Sequence, residues 1–167
     1  MNEPISNKKY RKLYISTAIQ KTLEVFYKFP EKEFSMSDLA KEAEVAKANL
    51  GKILLELEKI GFIQVEKLSK IWRIKANQSN GYYISGKIVH NLNFIYESGL
   101  VEYIVKKYNN PKSVVLFGSF RKGEDMSKSD IDIAVELSEI KDYSAKHLAE
   151  LEEYEESIGR KVQIHEF

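Results

Sequence analysis

Apolar residues recur along this chain in two periods, and the switches between them mark out the elements. Over residues 12–28, Leu13, Ile15, Ala18, Ile19, Leu23, Val25 and Phe26 fall at helical spacing, and Phe29-Pro30 ends the run. Ser35, Ser37 and Asp38 are N-capping residue types that open a second helix over 35–43, and a third follows over 46–60 after a short connection at Glu44-Val45. Gly61 stops that helix, and the next apolar residues alternate with polar ones. Residues 62–67 and 71–75 therefore predict two strands around Leu68-Ser69-Lys70.

The second half begins with the polar stretch 77–86, which carries two glycines and reads as a hinge between domains. Helical spacing returns over 88–94 and 100–108, broken at Ser98-Gly99 and closed by Asn109-Asn110-Pro111. The apolar run Ser113-Val114-Val115-Leu116-Phe117 predicts a strand, as does the alternation from Asp130 to Val135. Leu148, Leu151, Tyr154 and Ile158 predict a crossover helix over 143–158, ended by Gly159 and followed by a last strand over 161–167. The fold class expected is α+β: domain 1–80 of helices and a hairpin, then domain 81–167 with a helical lead-in (84–110) and a motif-bearing core (111–167) holding a small mixed sheet and flanking helices.

The chemistry concentrates where strand 113–117 stops. Gly118-Ser119 sits where a backbone can turn and approach a ligand closely, and ten residues later comes Asp130-Ile131-Asp132. The two-residue period of a strand sends Ile131, Ile133 and Val135 into a core and leaves Asp130 and Asp132 together on the other face, about 7 Å apart. Two carboxylates facing a Gly-Ser turn suit a hard cation bridged to phosphate oxygens.

Gly118-Ser119, the ten-residue spacer and Asp130-x-Asp132 resemble the signature of the DNA polymerase beta type nucleotidyltransferases, in the minimal branch of that superfamily. Gly123 and Ser129 also stand where the signature has Gly and Ser, while Lys122 stands where many members carry Arg. The resemblance implies that Asp130 and Asp132 are catalytic and hold magnesium. It implies too that Gly118, Ser119, Lys122 and Ser129 bind a nucleoside triphosphate, with ATP the expected one. It further implies a third carboxylate on the strand after a Gly-Arg-Lys-Val type turn, yet Gly159-Arg160-Lys161-Val162 is followed by Gln163. An amide ligates a cation weakly and takes no proton from an attacking hydroxyl. His165 lies two residues on, shares the face of Gln163 in a strand and is the candidate substitute base, whereas Glu166 points the other way.

Charge changes the picture of the first half. The net charge is +1 overall, but residues 1–80 carry 15 Lys and Arg against 10 Asp and Glu, and residues 81–167 carry 11 against 15. A basic first half suits a polyanion and an acidic second half suits cations. Helix, helix-turn-helix and hairpin is also the order of winged helix-turn-helix DNA-binding domains, which residues 35–75 resemble in pattern. That resemblance implies Lys47, Asn49 and Lys52 in the major groove and Lys67, Lys70 and Arg73 on phosphates. The chain has no cysteine, which excludes disulfides and thiolate metal sites, and no apolar stretch long enough for a signal peptide or membrane span, so a cytoplasmic location is expected.

Two functions follow as expectations. One is magnesium-dependent transfer of a nucleoside monophosphate from a triphosphate to an acceptor hydroxyl, coupled to DNA binding. Some minimal nucleotidyltransferases modify a partner toxin, so a protein acceptor belongs to this reading. The other is a DNA-binding regulator whose second domain binds nucleotide or metal without turnover, because Gln163 replaces the third carboxylate. Paired winged helices would also make a symmetric homodimer.

Overall fold

The computed structural model describes residues 17–68, 71–138 and 143–167. It divides into two compact units, with the boundary between His90 and Asn91.

In the first unit, α1 (Ala18–Lys28) starts at Thr17, whose side chain accepts a hydrogen bond from the Gln20 N–H. α2 (Met36–Glu42) starts at Ser35, whose hydroxyl oxygen accepts from the Asp38 N–H, as its residue type predicts. Glu44 takes a left-handed φ of 51° and turns the chain into α3 (Lys47–Lys59). Strands β1 (Ile63–Leu68) and β2 (Ile71–Ala76) pair antiparallel from Ile63↔Ala76 to Leu68↔Ile71. Phe26, Phe34, Leu39, Leu50, Leu54, Ile74 and Tyr83 fill one core beneath them. This is the expected winged helix-turn-helix arrangement. The part of the first predicted helix at 12–16 lies outside the described residues.

The predicted hinge at 77–86 is corrected. Helix α4 (Gly81–Glu97) covers 81–86, with Asn80 as its cap: the Asn80 Oδ1 accepts from the Tyr82 and Tyr83 N–H groups at 2.9 and 3.2 Å. Gly86 is there for close approach rather than flexibility, since a Cβ on it would lie 2.2 Å from the Tyr27 hydroxyl. The two units divide between His90 and Asn91, within the residue range of α4.

The second unit contains α5 (Leu100–Lys107), β3 (Ser113–Phe117), α6 (Gly118–Lys122), β4 (Ile131–Glu136), β5 (Ser144–Lys146), a 3₁₀ turn (Ala149–Leu151), α7 (Glu152–Ile158) and β6 (Val162–Glu166). Its sheet runs β3-β4-β6-β5, with β4 and β6 parallel and the other two pairs antiparallel. Ile131, Ile133, Val135, Val162 and Ile164 are buried on one face, as the alternation predicts. A second correction concerns 143–158, where residues 144–146 form an edge strand and the α-helix begins only at Glu152. Ser144 and Lys146 alternate onto the face of Glu166: the Ser144 hydroxyl donates to Glu166 Oε2 at 3.1 Å, and the Lys146 ammonium pairs with the same carboxylate. Among the described residues, no helix is long and apolar enough to cross a membrane.

Candidate nucleotide and metal site

Strand β3 delivers Phe117 directly opposite Asp132 on β4, and the chain leaves β3 through Gly118 with φ +72°. A Cβ at Gly118 would lie 2.1 Å from Asp132 Oδ2, so the carboxylate rests against the bare α-carbon of the turn. Only glycine permits both that backbone conformation and that approach. The five-residue α6 begins at once, and the first N–H groups of a helix have no partner within it. Ser119 is half-buried in that first turn, and Lys122 is exposed at its end.

Asp130 is exposed immediately before β4, and Asp132 is half-buried on it. No Lys or Arg among the described residues pairs with either carboxylate. In the parallel register Asp132 stands beside Gln163, and Ala134 beside His165, so all four share one sheet face. His165 leans back towards the acid, its Nε2 3.8 Å from Asp132 Oδ1. That nitrogen is buried and has no hydrogen-bond partner, while Nδ1 is bonded to the Tyr143 hydroxyl. The ring packs edge-on to Phe117 at 4.8 Å between centroids. Among the described residues, no group of three or more His, Asp or Glu is placed to hold a metal ion by itself. Two carboxylates open to solvent fit magnesium, which usually keeps waters and phosphate oxygens beside one or two protein ligands.

The loop between α6 and β4 is held by residues that sequence reasoning missed. Asp125 is fully buried, accepting from Arg160 Nη2 at 2.9 Å and from Asn91 Nδ2 at 2.8 Å. Arg160 Nη1 donates to the Ser129 carbonyl at 2.9 Å, and the guanidinium lies 5.2 Å from the Phe120 ring centre. Ser129 itself folds the loop, its hydroxyl oxygen accepting from the Met126 N–H at 2.9 Å and its own N–H donating to the Met126 carbonyl at 3.1 Å. The available signal was an acid at 125 in an otherwise polar loop and an arginine next to the helix-ending Gly159. Glu155, buried on α7, accepts from the Val162 N–H at 2.8 Å and fixes the start of β6. Glu166 faces away from the site, as expected. Burial pushes its carboxyl up, but Lys146 and Ser144 outweigh burial and leave it below the usual range.

In the first unit, Asn49 and Lys52 are exposed on the side of α3 opposite Leu50, Leu54 and Leu57. Lys47 is engaged within the helix-turn-helix, donating to the Ser37 hydroxyl at 2.9 Å. Lys67 and Arg73 are exposed on the hairpin, with the Lys67 ammonium 4.5 Å from the Trp72 ring centre. Lys70 lies outside the described residues.

Residues 100–167 match the family described as Polymerase beta, Nucleotidyltransferase. The chain is 45% identical over 62 residues to the "Putative protein adenylyltransferase MJ1379" of Methanocaldococcus jannaschii, covering 36% of this chain and 62% of that protein. A second protein of that organism bearing the same description, MJ0128, is 42% identical over 62 residues, 36% of this chain and 61% of its own. The chain thus spans about three fifths of the length of these curated relatives. Among solved structures, MepR, a transcription regulator of the Staphylococcus aureus multidrug efflux pump MepA, aligns at a TM-score of 0.39 and 15% identity, over 60% of this chain and 71% of that one.

Proposed function

We propose that the second unit transfers a nucleoside monophosphate, from ATP in the first instance, to an acceptor hydroxyl. The acceptor oxygen attacks the α-phosphorus, the bond to the bridging oxygen of the β-phosphate breaks, pyrophosphate leaves, and the hydroxyl proton passes to a base. The observation that carries this reading is the carboxylate of Asp132 seated against Gly118, with Asp130 open beside it. The match of residues 100–167 to nucleotidyltransferases supports it.

Asp130 and Asp132 would hold magnesium, which when bound neutralises charge on the phosphates. The Gly118-Ser119 turn would take the terminal phosphates through its backbone N–H groups, and Lys122 would add a positive charge at its end. Ser129 would act by holding the loop before Asp130. His165, whose Nε2 is unengaged, is the nearest substitute for the missing third carboxylate. The relatives' description as putative protein adenylyltransferases favours a protein hydroxyl as acceptor; a partner toxin is the case that the family resemblance implies. The first unit would hold DNA through Asn49, Lys52, Lys67 and Arg73, with Lys47 and, by the sequence pattern alone, Lys70 as further candidates.

One observation favours a second reading. Gln163 stands beside Asp132, and an amide takes no proton from an attacking hydroxyl, which suits a regulator that binds nucleotide without turnover. Incubation with magnesium, labelled ATP and candidate protein acceptors separates the two. Label transfer that vanishes in Asp132→Ala supports the enzyme. Saturable ATP binding with no transfer supports the regulator, and absence of both refutes the site.

A further inference from the structure

The two ring nitrogens of His165 have unlike surroundings. Nε2 is enclosed and faces Asp132 Oδ1 at 3.8 Å, while Nδ1 is in contact with the Tyr143 hydroxyl. A carboxylate beside Nε2 favours the tautomer that carries its hydrogen there, which leaves Nδ1 as the acceptor and the phenol as the donor. The pairing has a backbone cause. Ala145 stands opposite His165 in the antiparallel register, and Tyr143, two residues before it, falls on the same sheet face, while Ser144 and Lys146 turn to Glu166. The Tyr143 ring centre lies 5.8 Å from that of the imidazole. Hydroxyl, imidazole and carboxylate thus stand in the order of nucleophile, base and orienting acid. Other phenols of the second unit are closed off: the Tyr103 and Tyr108 hydroxyls are enclosed, and the buried Tyr154 donates to the Ser98 hydroxyl at 2.7 Å. Tyr143 is 65% exposed.

We infer that Tyr143 is itself an acceptor, so that the chain adenylylates its own phenol in cis. The inference rests on the nucleotidyl transfer proposed above and names a hydroxyl for it. The Tyr143 oxygen attacks the α-phosphorus of ATP, the bond from that phosphorus to the oxygen bridging to the β-phosphate breaks, and pyrophosphate leaves with the bonding pair. The phenol proton passes to His165 Nδ1. The product is a phosphodiester joining the tyrosine oxygen to the 5′ phosphate of adenosine. The imidazolium keeps its Nε2 hydrogen towards Asp132, whose carboxylate offsets the new charge. One imidazole separates the phenol oxygen from Asp132, so the attacking group is already held beside the acid of the candidate site. A hydroxyl from outside meets a different situation, since Nε2 is enclosed and Nδ1 is taken. Once modified, Tyr143 has no hydrogen to give Nδ1, and the chain carries a single group.

The test incubates the full chain with magnesium and ATP, no other protein being present, and follows it by intact mass and peptide mapping. The expected result is one adenylyl group on Tyr143, formed in the incubation or already carried by the purified chain, and absent from Tyr143→Phe and from Asp132→Ala. Because acceptor and site share a chain, the rate constant of modification is unchanged on dilution. Removing the base in His165→Ala slows it by about 100-fold or more. Tyr143→Phe keeps the circular dichroism and melting of the parent, which separates a lost acceptor from a lost fold. A short peptide with one tyrosine, added with labelled ATP, separates this inference from the reading beneath it. Labelled AMP on that peptide, or free AMP with pyrophosphate, while the chain stays unmodified overturns self-modification and leaves the transferase standing. No transfer to any acceptor overturns both. An adduct on another residue, a rate constant that rises with protein concentration, or the parent rate in His165→Ala overturns the inference as well.

Discussion

Replacing Gly118 by alanine tests the junction on which the candidate site rests. The added Cβ would lie 2.1 Å from Asp132 Oδ2, 3.0 Å from its Cγ and 3.3 Å from its Cβ. Rotation about χ1 can move the first two atoms but leaves the third contact in place, so the carboxylate is displaced by roughly 1 Å, a misplacement of the size that costs about 100-fold in rate at a reacting centre. Separately, φ of +72° costs an L-residue about 1–2 kcal/mol. The variant should therefore lose more than 2 kcal/mol in urea unfolding and nearly all label transfer. In an Asp132→Ala background the collisions with Oδ2 and Cγ are gone, leaving the backbone penalty of about 1–2 kcal/mol and the 3.3 Å contact with the Cβ of residue 132, so the stability cost is smaller than in the parent background. Four proteins (parent, each single variant and the double) measured by urea midpoint and by calorimetry with magnesium-ATP complete the cycle. An equal stability cost in both backgrounds, or unchanged ATP binding in the single variant, would refute the coupling between Gly118 and Asp132.

Removing Asp125 leaves the Arg160 guanidinium buried without its carboxylate, so Asp125→Ala should cost about 3–5 kcal/mol, seen as a lower urea midpoint at unchanged slope. Glu166 is held below its ordinary 4.5, so the folded state loses stability as pH falls from 4.5 through the depressed value; Glu166→Gln should flatten that part of a urea-midpoint-against-pH curve, and parallel curves would show the assignment to be mistaken. Burial raises the hydroxyls of Tyr27 and Tyr154 to about 12 against an ordinary 10.0, so stability conferred below pH 10 is lost as pH rises from 10 towards 12. Phenolate absorbance that reports these two ionising near 10 in the folded chain would contradict their burial. If Arg73 meets a phosphate, Arg73→Ala should lower the slope of log affinity against log salt for duplex DNA by about 0.9, and an unchanged slope removes it from the contact surface.

Much of the architecture could be read from residue spacing because the informative signals are local. Ser35 capped the helix it was expected to cap, and Asp130 and Asp132 stand opposite a face of Ile131, Ile133 and Val135 that is buried. Gly86 misled because its reason is tertiary: the Tyr27 hydroxyl occupies the space a side chain would need, and no window of sequence contains both residues. The strand at Ser144–Lys146 failed for a similar reason, since three residues carry too little periodicity and their partner, Glu166, lies far along the chain. The Asp125-Arg160-Asn91 network was invisible because it joins three distant segments, and only folding shows that the acid is buried with the arginine. His165 was recognised as sharing a face with Gln163, but its alignment by Tyr143 was not.

The placement of β6 between β4 and β5 predicts an order of assembly. The Phe117↔Asp132 pairing closes a short loop, so Asp132 can meet Gly118 early in folding. Ile131↔Val162 joins positions about twice as far apart in sequence, and this parallel pairing, which needs the crossover through α7, is expected later. A half-folded chain would thus already carry its acidic pair at the turn while still lacking the histidine beside it, and nucleotide-dependent protection of β4 in refolding would arise before that of β6.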